Sequence, residues 1–250
     1  MRGIRFFALL ALLGSGGALA QSGTPAAAAP LAFGRAGPAK VSTGLRQRID
    51  GCIACHGPHG QGGGSGGYAP RIGGKPAGYL YHQLQNFRDG RRAYPLMTWM
   101  MQYLPGAYMK EIAAYFASQS PPPPQPQVPM VTQATLDLGR RLVSMGDPAR
   151  GVPACMACHG ANLMGVEPDV PGLVGLTNDY ISAQLGAFKQ EIRRTKAPNC
   201  MHEVTSRLDG SEIGAVAAWL SSQPVPPGAK PAAAGSVKFP LRCGSIDGDG

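Results

Sequence analysis

Apolar residues recur at intervals of three and four in six stretches of this 250-residue chain, which is the spacing of one face of an α-helix. Three stretches precede residue 120, and three follow residue 131. They cover residues 45–53, 79–87, 107–119, 136–143 and 180–188, and a segment around 217–219. The pattern predicts two sets of three helices, the first helix being capped by Ser42 or Thr43.

Glycine and proline mark the segments between these helices. Residues 60–67 are mostly glycine, and they do not form a phosphate loop, because the Lys-Ser/Thr ending is missing and no strand precedes them. Residues 121–124 are all proline, and Pro126 and Pro129 follow, which predicts an extended spacer. We therefore expect a first domain at 41–120, a linker at 121–130, a second domain at 131–223 and a Pro/Ala/Gly-rich tail at 224–250.

The second half of the chain repeats the first. The pattern Tyr-Leu/Ile-x-x-Gln-Leu-x-x-Phe occupies residues 79–87 and returns at 180–188. Ala-Ala-Tyr at 113–115 matches Ala-Ala-Trp at 217–219, and the proline-led loop at 171–175 matches 70–74. The repeat is therefore a duplication of a whole domain.

Each repeat contains the sequence Cys-x-x-Cys-His, which is the attachment motif of a c-type haem. Its two thiols lie one helical turn apart, so both reach the porphyrin vinyl groups, and the adjacent histidine then faces the iron as an axial ligand. A zinc ribbon whose histidines happen to follow the cysteines is the alternative. Two copies at matched positions favour two covalent haems, through Cys52, Cys55 and His56 and through Cys155, Cys158 and His159.

The size and composition of each repeat agree with this interpretation. A domain of fewer than about a hundred residues is only marginally stable unless something else fills its centre. A haem supplies a large apolar disc for the helices to enclose. The 36 glycines, the 24 prolines and a charged fraction of only 15% fit loops that wrap around a cofactor.

The amino-terminal residues have the features of a secretory signal. Arg2 and Arg5 form a basic region, residues 6–13 are apolar but too short to span a bilayer, and Ala18-Leu19-Ala20 is a cleavage site. We expect a signal peptide at 1–20 and a flexible leader at 21–40, with an uncleaved anchor as the alternative. A secretory signal and covalent haem both indicate the bacterial periplasm.

The charge of the chain is mildly basic. The formal net charge is +9, and loss of Arg2 and Arg5 with four haem propionates leaves about +3. This suits an acidic partner surface, whereas no dense basic run indicates nucleic-acid binding. The basic residues before the two methionine loops either bind an acidic partner, offset the propionates or form a solvated face; they are Arg88, Arg91, Arg92, Lys189, Arg193, Arg194 and Lys196.

The duplication selects the sixth iron ligand from ten methionines. Met97 and Met201 are the pair that keeps the same two distances, seven and eighteen residues, to matched leucine and aromatic positions. Those positions are Leu104, Tyr115, Leu208 and Trp219. Core packing is the alternative role for both, and we assign it to Met100 and Met101. His/Met ligation leaves no open coordination position, which is typical of an electron carrier.

A proline follows each haem histidine, Pro70 by fourteen residues and Pro171 by twelve. We expect its carbonyl group to accept a hydrogen bond from the histidine Nδ1, which fixes the orientation and tautomer of the ring. An ordinary turn proline is the alternative. His59, His82 and His202 are expected to lie at the surface or behind the ligands, and Tyr79 and Tyr180 to pack on the haems.

Taken together, these motifs resemble the dihaem cytochrome c4 family over about residues 43–223. The resemblance implies an all-α fold of two tandem class I cytochrome c domains, related by a pseudo-twofold axis across which the haems face each other. It implies His56 and Met97 on one iron and His159 and Met201 on the other. It also implies a carrier of single electrons, without a reaction of its own, from a dehydrogenase or quinol-oxidising complex to a terminal oxidase.

The chain departs from this family in its tail. Cys200 and Cys243 remain after haem attachment, and we expect them to form a disulfide that fixes the tail beside the second haem. The alternative places a Cys200 thiolate at the second iron, as in a dihaem oxidoreductase similar to thiosulfate dehydrogenases. A permanently bound electron-transfer subunit of a dehydrogenase is a third interpretation.

Overall fold

The computed structural model describes residues 44–63 and 68–246, all within one compact unit, Ser42–Gly250. The predicted signal peptide and leader lie outside the described residues. Four helices form the first domain: α1 (Leu45–His56), α2 (Ala77–Arg88), α3 (Pro95–Met101) and α4 (Gly106–Ser118). The second contains α5 (Gln133–Ser144), α6 (Cys155–His159), α7 (Asn178–Lys189), α8 (Cys200–Ser206) and α9 (Gly210–Ser221).

The second domain also contains two short strands, β1 (Gly165–Val166) and β2 (Val170–Pro171), which pair as an antiparallel hairpin. The expectation of an all-α fold is therefore confirmed for the helices that build both domains, but it did not include this hairpin. Gly165 has φ of +95°, and a Cβ atom there would collide with the carbonyl oxygen of Val170. The turn accordingly requires glycine at this position.

The helix ends differ between the two domains. Helix α1 has Gly44 at its N-cap, without a side-chain hydrogen bond, so the predicted cap by Ser42 or Thr43 is wrong. In the second domain, Thr132, Thr177 and Asn199 each accept a backbone N–H at the start of a helix. Helix α9 begins with a capping box between Asp209 and Glu212. The second domain therefore satisfies more of its helix amino termini with side chains.

Each domain encloses its own apolar core. In the first domain, α2 packs against α3 and α4, with Leu80, Ile112 and Phe116 at the centre. In the second, α9 packs against α5 and α7. Its buried core consists of Leu142, Val143, Val152, Leu163, Val174, Ile181, Leu208, Ile213, Val216, Ala217 and Leu220.

The linker and tail both lie against the folded domains. Arg71 donates hydrogen bonds to the carbonyl groups of Pro121 and Pro122, and the Gln127 N–H donates to Ser221. In the tail, Ala232 pairs with β1 at Val166. Within residues 44–63 and 68–246, none of the helices has the length and apolar character of a membrane-spanning segment.

The contact between α5 and α9 depends on Gly139, because a Cβ atom there would collide with the Ala215 backbone carbonyl. We predict that Gly139→Ala destabilises the haem-loaded protein by about 1–3 kcal/mol. Gly214→Ala is the matched control, since Gly214 lies in α9 with no atom close to its Cβ position. It should be neutral or stabilise the helix by up to about 1 kcal/mol. Thermal unfolding checks both, and equal effects would contradict the steric explanation.

Candidate haem sites

Both Cys-x-x-Cys-His motifs are helical and end at the histidine. Cys52 and Cys55 lie in the last two turns of α1, whereas Cys155 and Cys158 lie in the short helix α6. Burial raises the pKa of the Cys52 thiol to about 11 and that of Cys155 to about 12. These sulfur atoms therefore lie in apolar surroundings, which suits residues that become thioethers of a porphyrin.

The zinc interpretation fails on geometry. In the part of the chain that the structure describes, no three His, Cys, Asp or Glu side chains converge as a metal ion would require. A structural zinc site needs four such ligands around one point. The described residues therefore give no support to the zinc interpretation.

Each haem histidine makes the hydrogen bond that the sequence predicts. The Nδ1 atom of His56 lies 2.9 Å from the Pro70 carbonyl oxygen, and that of His159 lies 2.8 Å from the Pro171 oxygen. A carbonyl oxygen only accepts, so Nδ1 carries the proton and Nε2 keeps its lone pair. Burial lowers the pKa of both imidazoles, which favours the neutral ring that binds iron.

A cavity of about 370 Å³ opens beside the first motif. Cys52, Cys55 and His56 line it together with Met97 and Met100. The remaining wall is largely apolar and includes Leu80, Leu84, Phe87, Ile112 and Phe116. The structure thus brings the predicted ligand Met97 to the same cavity as His56, while Met101 packs behind it in the core.

Met201 lies in the first turn of α8 and is half-buried. Its carbonyl oxygen accepts a hydrogen bond of 2.8 Å from the Thr205 hydroxyl. Its ligation of the second iron stays a prediction. Two of the other histidines form hydrogen bonds elsewhere, His59 with Gln119 and His202 with the Phe188 carbonyl group, whereas His82 Nδ1 lies 3.6 Å from an Asp169 carboxylate oxygen.

Cys200 and Cys243 form a disulfide, as predicted. The alternative with a Cys200 thiolate at the second iron is wrong for this structure, because the sulfur is already bonded to Cys243. The four remaining cysteines are the motif thiols.

Two arginines lie where the domains meet. Arg92, from the first domain, donates to Gln83 at 3.0 Å and, across the interface, to the Tyr180 hydroxyl at 2.8 Å and to Gln184 at 3.0 Å. Its guanidinium also lies 4.6 Å from the ring centroid of Phe87.

Arg193 repeats this arrangement from the second domain. It donates to Gln184 at 2.8 Å and, across the interface, to Gln83 at 2.9 Å and the Tyr79 hydroxyl at 3.3 Å. The Arg193 side chain is buried, and the backbones of the two arginines pair antiparallel. Two chemically equivalent clusters therefore share one interface, as a pseudo-twofold relation requires.

For Arg92 and Arg193 the interpretation as a solvated face is wrong, because the opposite domain covers them, whereas Arg194 is exposed. The sequence contained a signal: tyrosine, glutamine, phenylalanine and arginine keep identical spacing in 79–92 and 180–193. Tyr79 and Tyr180, expected to pack on haem, also bond across the interface through their hydroxyl groups.

The charge of this interface fits a haem. None of the hydrogen bonds that the described residues make with Arg92, Arg193 or Lys75 involves a carboxylate, and Arg193 Nε is buried without a partner. Burial lowers the pKa of Lys75 to about 8. Arg71, Lys75, Arg92 and Arg193 all line the cavity. Buried cations require nearby anions, and haem propionates are carboxylates of the right charge.

Comparison with known proteins agrees with this geometry. The cytochrome c family model matches residues 44–120 and 137–224. The chain is 41% identical over 176 residues to a thiosulfate dehydrogenase electron acceptor from Thiomonas intermedia (strain K12), covering 70% of this chain and 80% of the relative. It is 34% identical over 172 residues to cytochrome c4 from Thiocapsa roseopersicina, covering 68% of this chain and 85% of the relative.

A solved structure of thiosulfate dehydrogenase (TsdBA) from Marichromatium purpuratum matches with a TM-score of 0.60 and 31% identity. The match covers 70% of this chain and only 36% of that chain. With two motif-bearing domains, two histidines oriented by proline carbonyl groups and these relatives, the chain belongs to the dihaem cytochrome c4 family, whose members hold two covalent haem c groups and carry electrons.

Proposed function

We propose that this protein is a periplasmic carrier that accepts single electrons from a thiosulfate dehydrogenase and passes them to a terminal oxidase or another acceptor. The observation that carries the proposal is the first cavity, where a neutral, hydrogen-bonded His56 and the thioether of Met97 share one apolar space. The named function of the Thiomonas relative supports the choice of donor.

The haem supplies a one-electron couple when bound, and the chain keeps the surroundings of the iron constant. His56 is held by the Pro70 carbonyl group and stays neutral, because burial lowers its pKa. Phe87 and Phe116 form part of the apolar wall of the cavity. A ligand set that stays the same in both oxidation states would mean that few atoms move when the charge changes.

A permanently bound subunit is the second candidate. The match to 36% of the TsdBA chain favours it, because the rest of that chain lies outside the matched region. The third candidate, a dihaem oxidoreductase that uses Cys200, would need a free thiol there, and in this structure the Cys200 sulfur is bonded to Cys243. The carrier and the subunit differ only in the lifetime of the complex with the donor.

We predict that a purified thiosulfate dehydrogenase reduces both ferric haems rapidly when thiosulfate is added. Thiosulfate without the dehydrogenase should leave the protein oxidised, since neither iron has an open position. Stopped-flow absorbance measures the reduction, and gel filtration of the mixture separates the free carrier from the bound subunit. Equal reduction with and without the dehydrogenase would identify an enzyme instead.

We further propose His/Met ligation of both irons, with Met201 on the second. The weak long-wavelength absorption band of ferric haem with a sulfur ligand reports this bond. Met97→Ala and Met201→Ala should each remove about half of the band, because each iron contributes one such bond. Met100→Ala is the control and should retain the full band, since we assign it to packing. A band that survives Met201→Ala would exclude ligation by Met201.

The buried arginines should raise the reduction potentials. Arg92→Gln removes a cation beside the cavity, and its removal stabilises the ferric form. We therefore expect the reduction potential of the first haem to fall by the order of 50 mV, about tenfold in a one-electron equilibrium. Arg88→Gln is the matched control, because it also removes one positive charge, but Arg88 is half-buried beside Asp89 and does not line the cavity. Spectroelectrochemical titration compares the two. Equal shifts would mean that overall charge, and not the interface, sets the potential.

A further inference from the structure

The tail lies against the segment that follows the second haem histidine. The Ala232 N–H donates to Gly165 at 2.9 Å, and its carbonyl group accepts from the Glu167 N–H at 2.9 Å. These contacts add the tail to β1, which follows His159 by six residues. One part of the tail is thus fixed to the segment that follows His159.

The tail is fixed a second time beside the predicted methionine ligand. Cys243 is buried and bonded to Cys200, which directly precedes Met201 in α8. The Gly244 N–H donates to the Pro198 carbonyl group at 3.0 Å. The tail therefore connects the segment after the histidine to the loop that carries the methionine.

Among the residues of the first domain that the structure describes, no equivalent connection occurs. Leu96 occupies the position that matches Cys200, and its side chain is 48% exposed. Helix α3, which carries Met97, is held by packing of Met101 and Met109 in the core. Two domains with the same motifs therefore hold their methionine loops in different ways, the first by packing and the second by packing together with a covalent bond.

We propose that the tail, residues 224–246, is a strap that positions Met201 on the second iron through the Cys200–Cys243 disulfide. This rests on the proposed ligation by Met201. A thioether leaves the iron only when its loop moves, and a bond from the adjacent residue to a docked segment restricts that motion. Met201 consequently dissociates less readily than it would without the disulfide, while Met97 has no such restraint.

The test uses the holoprotein with Cys200→Ser and Cys243→Ser combined, so that no free thiol reaches the iron. Proton NMR resolves the methyl signal of each iron-bound methionine, and Met97→Ala and Met201→Ala assign them. Imidazole, titrated into the ferric protein, replaces bound methionine and removes its signal. We expect the Met201 signal of the double variant to disappear at an imidazole concentration about tenfold lower than in wild type. This corresponds to about 1.4 kcal/mol in the free energy of methionine displacement. The Met97 signal should titrate unchanged.

Two results would overturn the proposal. If neither signal changes its titration, the disulfide only fastens the tail; if both shift equally, the variant is loosened as a whole. A wild type with no second methionine signal would instead refute the ligation by Met201, and so separate the two failures.

If the double variant does not fold, the wild-type protein provides the same test. Carbon monoxide association with the ferrous haems is measured before and after cleavage of the disulfide by a phosphine, with thiol alkylation as the check. One of the two kinetic phases should accelerate about tenfold, and Met97→Ala should show that the accelerated phase belongs to the second haem. Unchanged phases would overturn the proposal.

Discussion

Enclosing a cofactor that is apolar across its face and anionic at its edge is the constraint on which this structure depends. The first cavity has apolar side chains such as Phe87 and Phe116 for the face of the haem, and four cations for its anionic edge. Those cations have no carboxylate partner among the hydrogen bonds of the described residues. A folded chain that buries them without an anion would bear a large desolvation cost. Haem propionates beside these cations would offset that cost, which links haem attachment to the stability of the interface between the domains.

Because the domain is duplicated, the same arginine cluster occurs twice at the interface. Arg92 and Arg193 each bond to glutamine side chains of both domains, so either arginine links the two repeats. Lys75 extends the link by donating from the first domain to the Gly172 carbonyl group, next to the residue that orients His159. A change at the interface therefore reaches the surroundings of both irons. This is a physical reason why the two domains form one compact unit.

Local patterns in the sequence were sufficient where the chemistry itself is local. Cys-x-x-Cys-His specifies its own geometry, the matched prolines pointed to the carbonyl groups near both histidines, and the two remaining cysteines pair. Features that need a distant partner were missed. A run such as Arg91-Arg92 normally lies in solvent, and only the opposite domain buries Arg92. The hairpin of β1 and β2 is too short for a periodic signal, and Gly44 at the start of α1 has no side chain to mark a cap.

The two domains have the same motifs but different surroundings. Exposed apolar side chains lie along and after α3, with Trp99 68% and Tyr103 86% exposed, whereas the matched positions of the second domain are Glu203 and Arg207. The second domain has the disulfide in the same region. Duplication alone would leave two equivalent sites, and equivalent sites give electrons no preferred direction. Differences in charge, packing and covalent restraint around matched ligands make the two irons unequal, and an unequal pair is what directional transfer requires.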